Sequence, residues 1–214
     1  YRAHSDAWAA PAMLARLDEL RVLRTLHPEL GWSSPLQKPL EEALSGSYDP
    51  QWNLPESWHH IPLRRVLAYC IWLSPMSAES VAQVIQRLRL PQPLASAVHW
   101  TCQLSKRSLG VVGEKPSRAT EILSEIPLPA AYALKLLGLP PRARAMLQKY
   151  VTDWRFIQPQ TNGHTLLGRG LKPGPLISQI LSQLRAAWLD GEIHSAEEEA
   201  ALLEKILASL PATS

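Results

Sequence analysis

Phenylalanine is almost missing from this chain, with one in 214 residues, and it is accompanied by only 5 Tyr, 10 Gly and 2 Cys. A sheet-based fold draws on aromatic strand formers and on glycine in its turns, and both are scarce. Leu, Ala, Arg, Gln and Glu are plentiful instead, which favours helix. Cys70 and Cys102 sit inside apolar helical runs without a C-x-x-C or Cys/His spacing. That excludes a zinc site of the usual kind and reads as buried thiols in a reducing, cytoplasmic compartment. The longest apolar run, Val66 to Leu73, is far too short to span a bilayer, and no signal peptide is visible, so no membrane partner is expected.

Catalytic signatures are also lacking. The five aspartates (Asp6, Asp18, Asp49, Asp153 and Asp190) never form a D-x-D pair able to hold Mg²⁺, and no P-loop, G-x-S-x-G or H-E-x-x-H occurs. His59 and His60 are adjacent in sequence, so their side chains diverge, and no Asp follows to complete a metal site. No catalytic residue, metal ligand or cofactor is expected within this segment.

What is present is a chain long enough for one large domain or two small ones, at 46% hydrophobic residues and a net charge of +3. The charge is unevenly laid out. Residues 1–60 and 190–214 are acidic on balance, whereas 61–118 (8 basic, 2 acidic) and 142–189 (7 basic, 1 acidic) are strongly basic. Two basic stretches between acidic ends suit a polyanion lying along the middle of the chain. Solvated helix faces whose signs happen to segregate would give the same count.

Apolar spacing and the 19 prolines divide the chain into about ten short helices in an irregular all-α array. Residues 8–30 read as a helix or a broken pair, and Pro35 to Leu44 as a short helix. Ser45 to Pro55 reads as a loop that marks a hinge or subdomain edge. Val66 to Leu73 is apolar all round and should be a central buried helix. Ser77 is an N-cap for the helix ending at Leu88, another helix runs to about Leu104, and Lys106 to Lys115 forms a basic loop. Ser117 caps a short helix over Ala119 to Glu125, Ala130–Leu137 is the next, and one long helix is expected from Arg142 to Ile157. Ser195 and Glu198 form a capping box for a final helix whose carboxylates read as a solvated face. Two packed helical subdomains follow: a body over 1–118 and a tail over 119–214.

The densest signal lies in Thr161 to Gly191, TNGHTLLGRGLKPGPLISQILSQLRAAWLDG. A polar Asn162-Gly163 turn leads into Leu166-Leu167, the chain breaks at Gly168 and Gly170, and a long helix restarts at Pro175. There the missing N–H of proline costs nothing. First-turn amides beside Lys172 can hold a phosphate through donors, helix dipole and ammonium together. Gly and Pro between helices are equally ordinary punctuation. Trp154 and Trp188 fall on apolar stripes and read as core.

Gly163-His-Thr-Leu166, then Gly170-Leu-Lys-Pro-Gly-Pro175, then a helix closing on Leu-Asp-Gly-Glu192, resembles the tail of the bacterial tRNA nucleotidyltransferase and poly(A) polymerase family, the class II CCA-adding and A-adding enzymes. The run Arg87-Leu-Arg-Leu-Pro91 and the stretch LDELRVLRTLHPELGW ending at Trp32 are similar to that family's helical body. The resemblance implies a body and tail that hold tRNA by its acceptor stem and elbow through shape and phosphate contacts. It implies Arg142, Arg144, Lys149, Arg155, His164, Arg169, Lys172 and Gly174 as RNA-binding positions. Nucleotide addition, with Mg²⁺ and ATP or CTP, would fall to a catalytic head of the same parent chain, for which no counterpart is seen between Tyr1 and Ser214.

Two positions depart from the family pattern. His164-Thr165 stands where the family has an acidic residue before Leu, and Ser178 stands where it has Gly. A helical interaction scaffold without nucleic-acid binding is the competing expectation, and a helix-hairpin-helix-like DNA module is a third.

Overall fold

The computed structural model describes residues 2–106 and 113–209, and the chain divides into two compact units. Most of the expected basic loop after Lys106 lies outside the described residues. The units are not the contiguous 1–118 and 119–214. The first comprises 1–112 with 124–148, and the second 113–123 with 149–214. Long-range packing overrides the sequence order, because an apolar helix joins whichever surface buries it best.

In the first unit, α1 (Arg2–Glu19), α2 (Val22–Leu26), α3 (Gln37–Ser45), α4 (Leu63–Leu73), α5 (Ala78–Leu88) and α6 (Gln92–Ser105) follow in order, and α8 (Leu128–Leu137) returns to them. α4 is the central rod. Val66, Leu67, Cys70, Ile71 and Leu73 are all fully buried, and α3, α6 and α8 pack around it. Each such aliphatic side chain contributes about 1.5–3 kcal/mol through burial. α8, with Ala130, Ala133 and Leu134 buried, is thus core to the unit that sequence order had assigned it away from. Both thiols are buried and free, and desolvation pushes each up to about 12.

The expected 45–55 hinge is instead tied down. A 3-10 turn, Pro50–Trp52, is capped by Asp49, whose carboxylate accepts from the Gln51 amide and from Lys135 Nζ at 2.5 Å. Trp52 is 1% exposed, edge-on to Tyr132 with ring centroids 5.0 Å apart, and Lys135 Nζ lies 5.2 Å from its ring. Its indole N–H donates to Gln148 Oε1.

A two-residue-per-strand hairpin, β1 (Ser57–Trp58) and β2 (Ile61–Pro62), interrupts the helices. His59 and His60 form its turn with φ of 47° and 66°. The sequence carries no Asn-Gly there to announce a turn that needs positive φ twice.

α9 (Pro141–Thr152) holds the boundary between the units, after Gln148. It is shorter than the helix expected to reach Ile157. Asp153 leaves helical geometry, and Trp154–Phe156 is a separate 3-10 turn.

The second unit gathers α7 (Pro116–Ser124), α10 (Gly163–Gly168), α11 (Pro175–Leu189) and α12 (Ala196–Ala208). Leu166, Ile180, Leu184 and Leu203 form its buried cluster, ringed by Leu171, Leu176, Ile177 and Ile206. Among the described residues no helix is long and apolar enough to cross a membrane.

Candidate nucleic-acid interface

The glycine-rich corner is built from its caps outward. Asn162 Oδ1 accepts from the Thr165 amide at 3.0 Å and from its hydroxyl, which starts α10. Gly170, at φ 89°, ends it in a Schellman arrangement, with its amide donating to Leu167 O and that of Leu171 to Leu166 O. Lys172 and a bend at Pro173-Gly174 lead to Pro175, the first residue of α11, with Gly174 itself at φ 160°. Gly191, at φ 69°, repeats the Schellman closure at the far end of α11.

Two carboxylates hold this frame, and sequence reading missed both. Glu199 on α12 is 2% exposed, so it is no part of a solvated face. Its oxygens accept from the Gln160 amide (2.9 Å), the Thr161 amide (2.7 Å), the Thr161 hydroxyl (2.6 Å) and the Trp188 indole (2.5 Å). Burial on its own would raise this carboxyl. The bonds from Thr161, Gln160 and Trp188 together outweigh that and hold it below the ordinary carboxylate range. The signal was present in the spacing, since Glu199 stands four and seven residues before Leu203 and Ile206, on the apolar stripe.

Asp190, at the end of α11, accepts from the amide and hydroxyl of Ser117 at 2.8 Å each. It therefore caps α7 in place of Ser117, and it is the reason residues 113–123 belong with the tail. Lys115 reinforces the join by pairing with Glu192 at 3.4 Å.

The expected RNA-binding residues divide as follows. Lys172 and Gly174 are exposed at the head of α11, and Lys172 has no partner among the described residues. His164 is exposed on α10, and Arg169 is exposed but ion-paired with Glu204 of α12. Lys149 is exposed on α9. Arg155 is not on that helix. It lies in the 3-10 turn, half-buried, with its guanidinium 4.6 Å from the Phe156 ring centre.

In the first unit, Arg142 and Arg144 are both exposed. They stand about 200° apart around α9 on either side of the buried Ala143–Leu147 stripe. Arg144 reaches Leu139 O at 3.5 Å and lines a concavity of about 350 Å³ with Lys38 and Lys135. Arg185, absent from the expected set, donates Nε to Ile157 O at 3.0 Å and Nη2 to Arg155 O. Trp188, with its indole on Glu199, is structural as expected. Among the described residues no three His, Cys, Asp or Glu side chains gather as a metal site.

No protein-family profile and no curated protein sequence matches the chain. Solved structures do. The Thermotoga maritima CCA-adding enzyme complexed with tRNA-CCA superposes with a TM-score of 0.62 at 20% identity, over 92% of this chain and 46% of that one. A CCA-adding enzyme complexed with ATP gives 0.61 at 20% identity, covering 92% and 46%. A CCA-adding enzyme complexed with CTP gives 0.60 at 19%, again over 92% and 46%. The chain thus has the fold of a region spanning about half the length of these enzymes.

Proposed function

We propose that this chain is the RNA-holding body and tail of a tRNA nucleotidyltransferase involved in adding C, A or CCA at the tRNA 3′ end. It grips the acceptor stem and elbow by their sugar-phosphate exterior. Duplex RNA offers phosphates and 2′-hydroxyls rather than readable major-groove edges, so cations and helix N-termini are the fitting chemistry. Lys172 and the first-turn amides around Gly174 take one phosphate. Arg169 and His164 lie beside them in sequence, and Lys149, Arg155, Arg142 and Arg144 supply further contacts. Arg169 would exchange Glu204 for a phosphate on binding.

Nucleotide joining belongs to a catalytic head of the parent chain, with its Mg²⁺ and ATP or CTP. Among the described residues no three His, Cys, Asp or Glu side chains gather that could hold that metal.

The observation that carries this reading is an exposed, unpartnered Lys172 at the N-terminus of α11, within a fold matched over 92% of its length by CCA-adding enzymes. The test is tRNA binding followed by fluorescence anisotropy across a salt series. Affinity should fall steeply with salt, because each neutralised phosphate releases counterions. Lys172→Glu should weaken binding about tenfold (~1.4 kcal/mol) with an unchanged melting temperature. No tRNA retention together with salt-insensitive self-association would select the scaffold reading. A preference for duplex DNA would select the helix-hairpin-helix-like one.

A further inference from the structure

A groove of about 500 Å³ opens beside the corner, between the 158–163 segment and α11. Its chemistry differs from that of the corner. Gln158, Asn162, Ser178 and Ser182 line it with neutral hydrogen-bonding groups, and Arg185 is its one charged wall. Arg185 already donates to the carbonyls of Ile157 and Arg155, which holds its guanidinium against the 155–157 segment.

Ser178, Ser182 and Arg185 stand at i, i+4 and i+7 along α11, so they form one polar ridge about 10 Å long. The ridge lies opposite the buried Ile180 and Leu184. Neither serine hydroxyl has a partner among the described residues, and both residues are exposed. Asn162 commits its oxygen to capping α10, which leaves its NH₂ as the group a ligand meets.

We infer that this groove reads ribose: it takes the 2′-hydroxyl edge of the RNA strand whose phosphate sits at Lys172, and so makes the interface selective for RNA over DNA. This rests on the RNA-holding reading above. A hydroxyl that both donates and accepts matches a 2′-hydroxyl, which does the same. A row of neutral groups adds little to long-range attraction, so the groove discriminates RNA from DNA while the lysines carry the salt-dependent part of the affinity.

The full chain is compared with a Ser178→Ala/Ser182→Ala double variant. The probes are an acceptor-stem–T-arm RNA minihelix and its all-DNA copy, each over a salt series. RNA affinity should fall about five- to tenfold, as expected for two lost hydrogen bonds. DNA affinity, salt slope and melting temperature should stay unchanged, so the RNA-to-DNA ratio falls by the same factor. Ser182→Thr, which keeps the hydroxyl, should hold the ratio near that of the parent. If the parent binds RNA with a steep salt slope and the double variant leaves the ratio unaltered, the groove inference is overturned and the RNA-holding reading survives. If the parent binds neither probe, both fall.

Discussion

Glu199 offers the sharpest test of how the corner is held. Its carboxylate meets four donors, and every one comes from the 160–161 segment or from Trp188 of α11. Replacing it with Ala leaves those donors without their acceptor. Each half-buried orphan costs about 1–3 kcal/mol, discounted where water can enter, so a total of about 3–5 kcal/mol is expected. Glu199→Gln keeps one oxygen and the shape. Its NH₂ would face either two amide or indole N–H groups, or one N–H and the Thr161 hydroxyl, which can reverse. The second choice is the better one and should cost about 2 kcal/mol.

For a unit of this size, 1 kcal/mol moves Tm by about 4–8 °C, so the Gln variant should melt roughly 10 °C lower. Amide hydrogen exchange at Gln160 and Thr161 should accelerate with it. The pH dependence has a definite sign. The folded carboxyl lies below its ordinary value, so its stabilisation is complete above the usual carboxylate range and is lost as pH falls through the depressed folded value. The gap between parent and Gln variant should therefore narrow in acid. Equal gaps at pH 7 and pH 3, or an Ala variant that melts like the parent, would refute the anchoring role.

Asp190→Ala removes the cap of α7 and should cost about 1–2 kcal/mol, with limited proteolysis first cutting beside residues 113–123. Asp190→Asn keeps an acceptor for the Ser117 amide and should recover part of that loss. Arg89 closes α5 in a Schellman motif at φ 52°, where glycine carries no Cβ penalty. Arg89→Gly should therefore be neutral or stabilising by up to about 1 kcal/mol in urea melts, and a clear loss would mean its side chain matters.

Local chemistry was the legible part of this molecule. Pro175 at the first position of α11, Ser77 and Ser195 as caps, and the buried Val66–Leu73 rod all follow from interactions within one or two turns. What escaped depended on partners far along the chain. Trp52 is core because Tyr132 and Gln148 meet it across eighty or more residues. The units interleave because Asp190 captures Ser117 from 73 residues away. The His59–His60 turn and the break at Asp153 lack the Gly, Asn or Pro that usually announces such geometry, so tertiary context alone imposes them. Of the candidate site, the corner at Lys172 was visible and the groove beside it was not, because serines on a helix face carry no motif.

The charge map needs the same discrimination, and it yields a prediction of its own. Between 142 and 189 the sequence counts seven cations against one carboxylate, which suggests a broad positive field. Five of those cations, from Lys149 onward, belong to the second unit, and the fold already engages three of them. Arg169 pairs with Glu204, Arg185 is turned to two backbone carbonyls, and Arg155 lies over Phe156. Lys149 and Lys172 remain as exposed cations without a partner among the described residues. Of the four α12 carboxylates, Glu197, Glu198 and Glu204 are exposed as expected of a solvated face, Glu204 also pairing with Arg169, and only Glu199 is buried. Each neutralised phosphate adds about 0.9 to the slope of log affinity against log salt. A Lys149→Ala/Lys172→Ala variant should therefore lower that slope by about two, whereas Arg185→Ala should lower melting temperature and leave the slope alone. A slope unmoved by the double lysine change would place the polyanion elsewhere on the molecule.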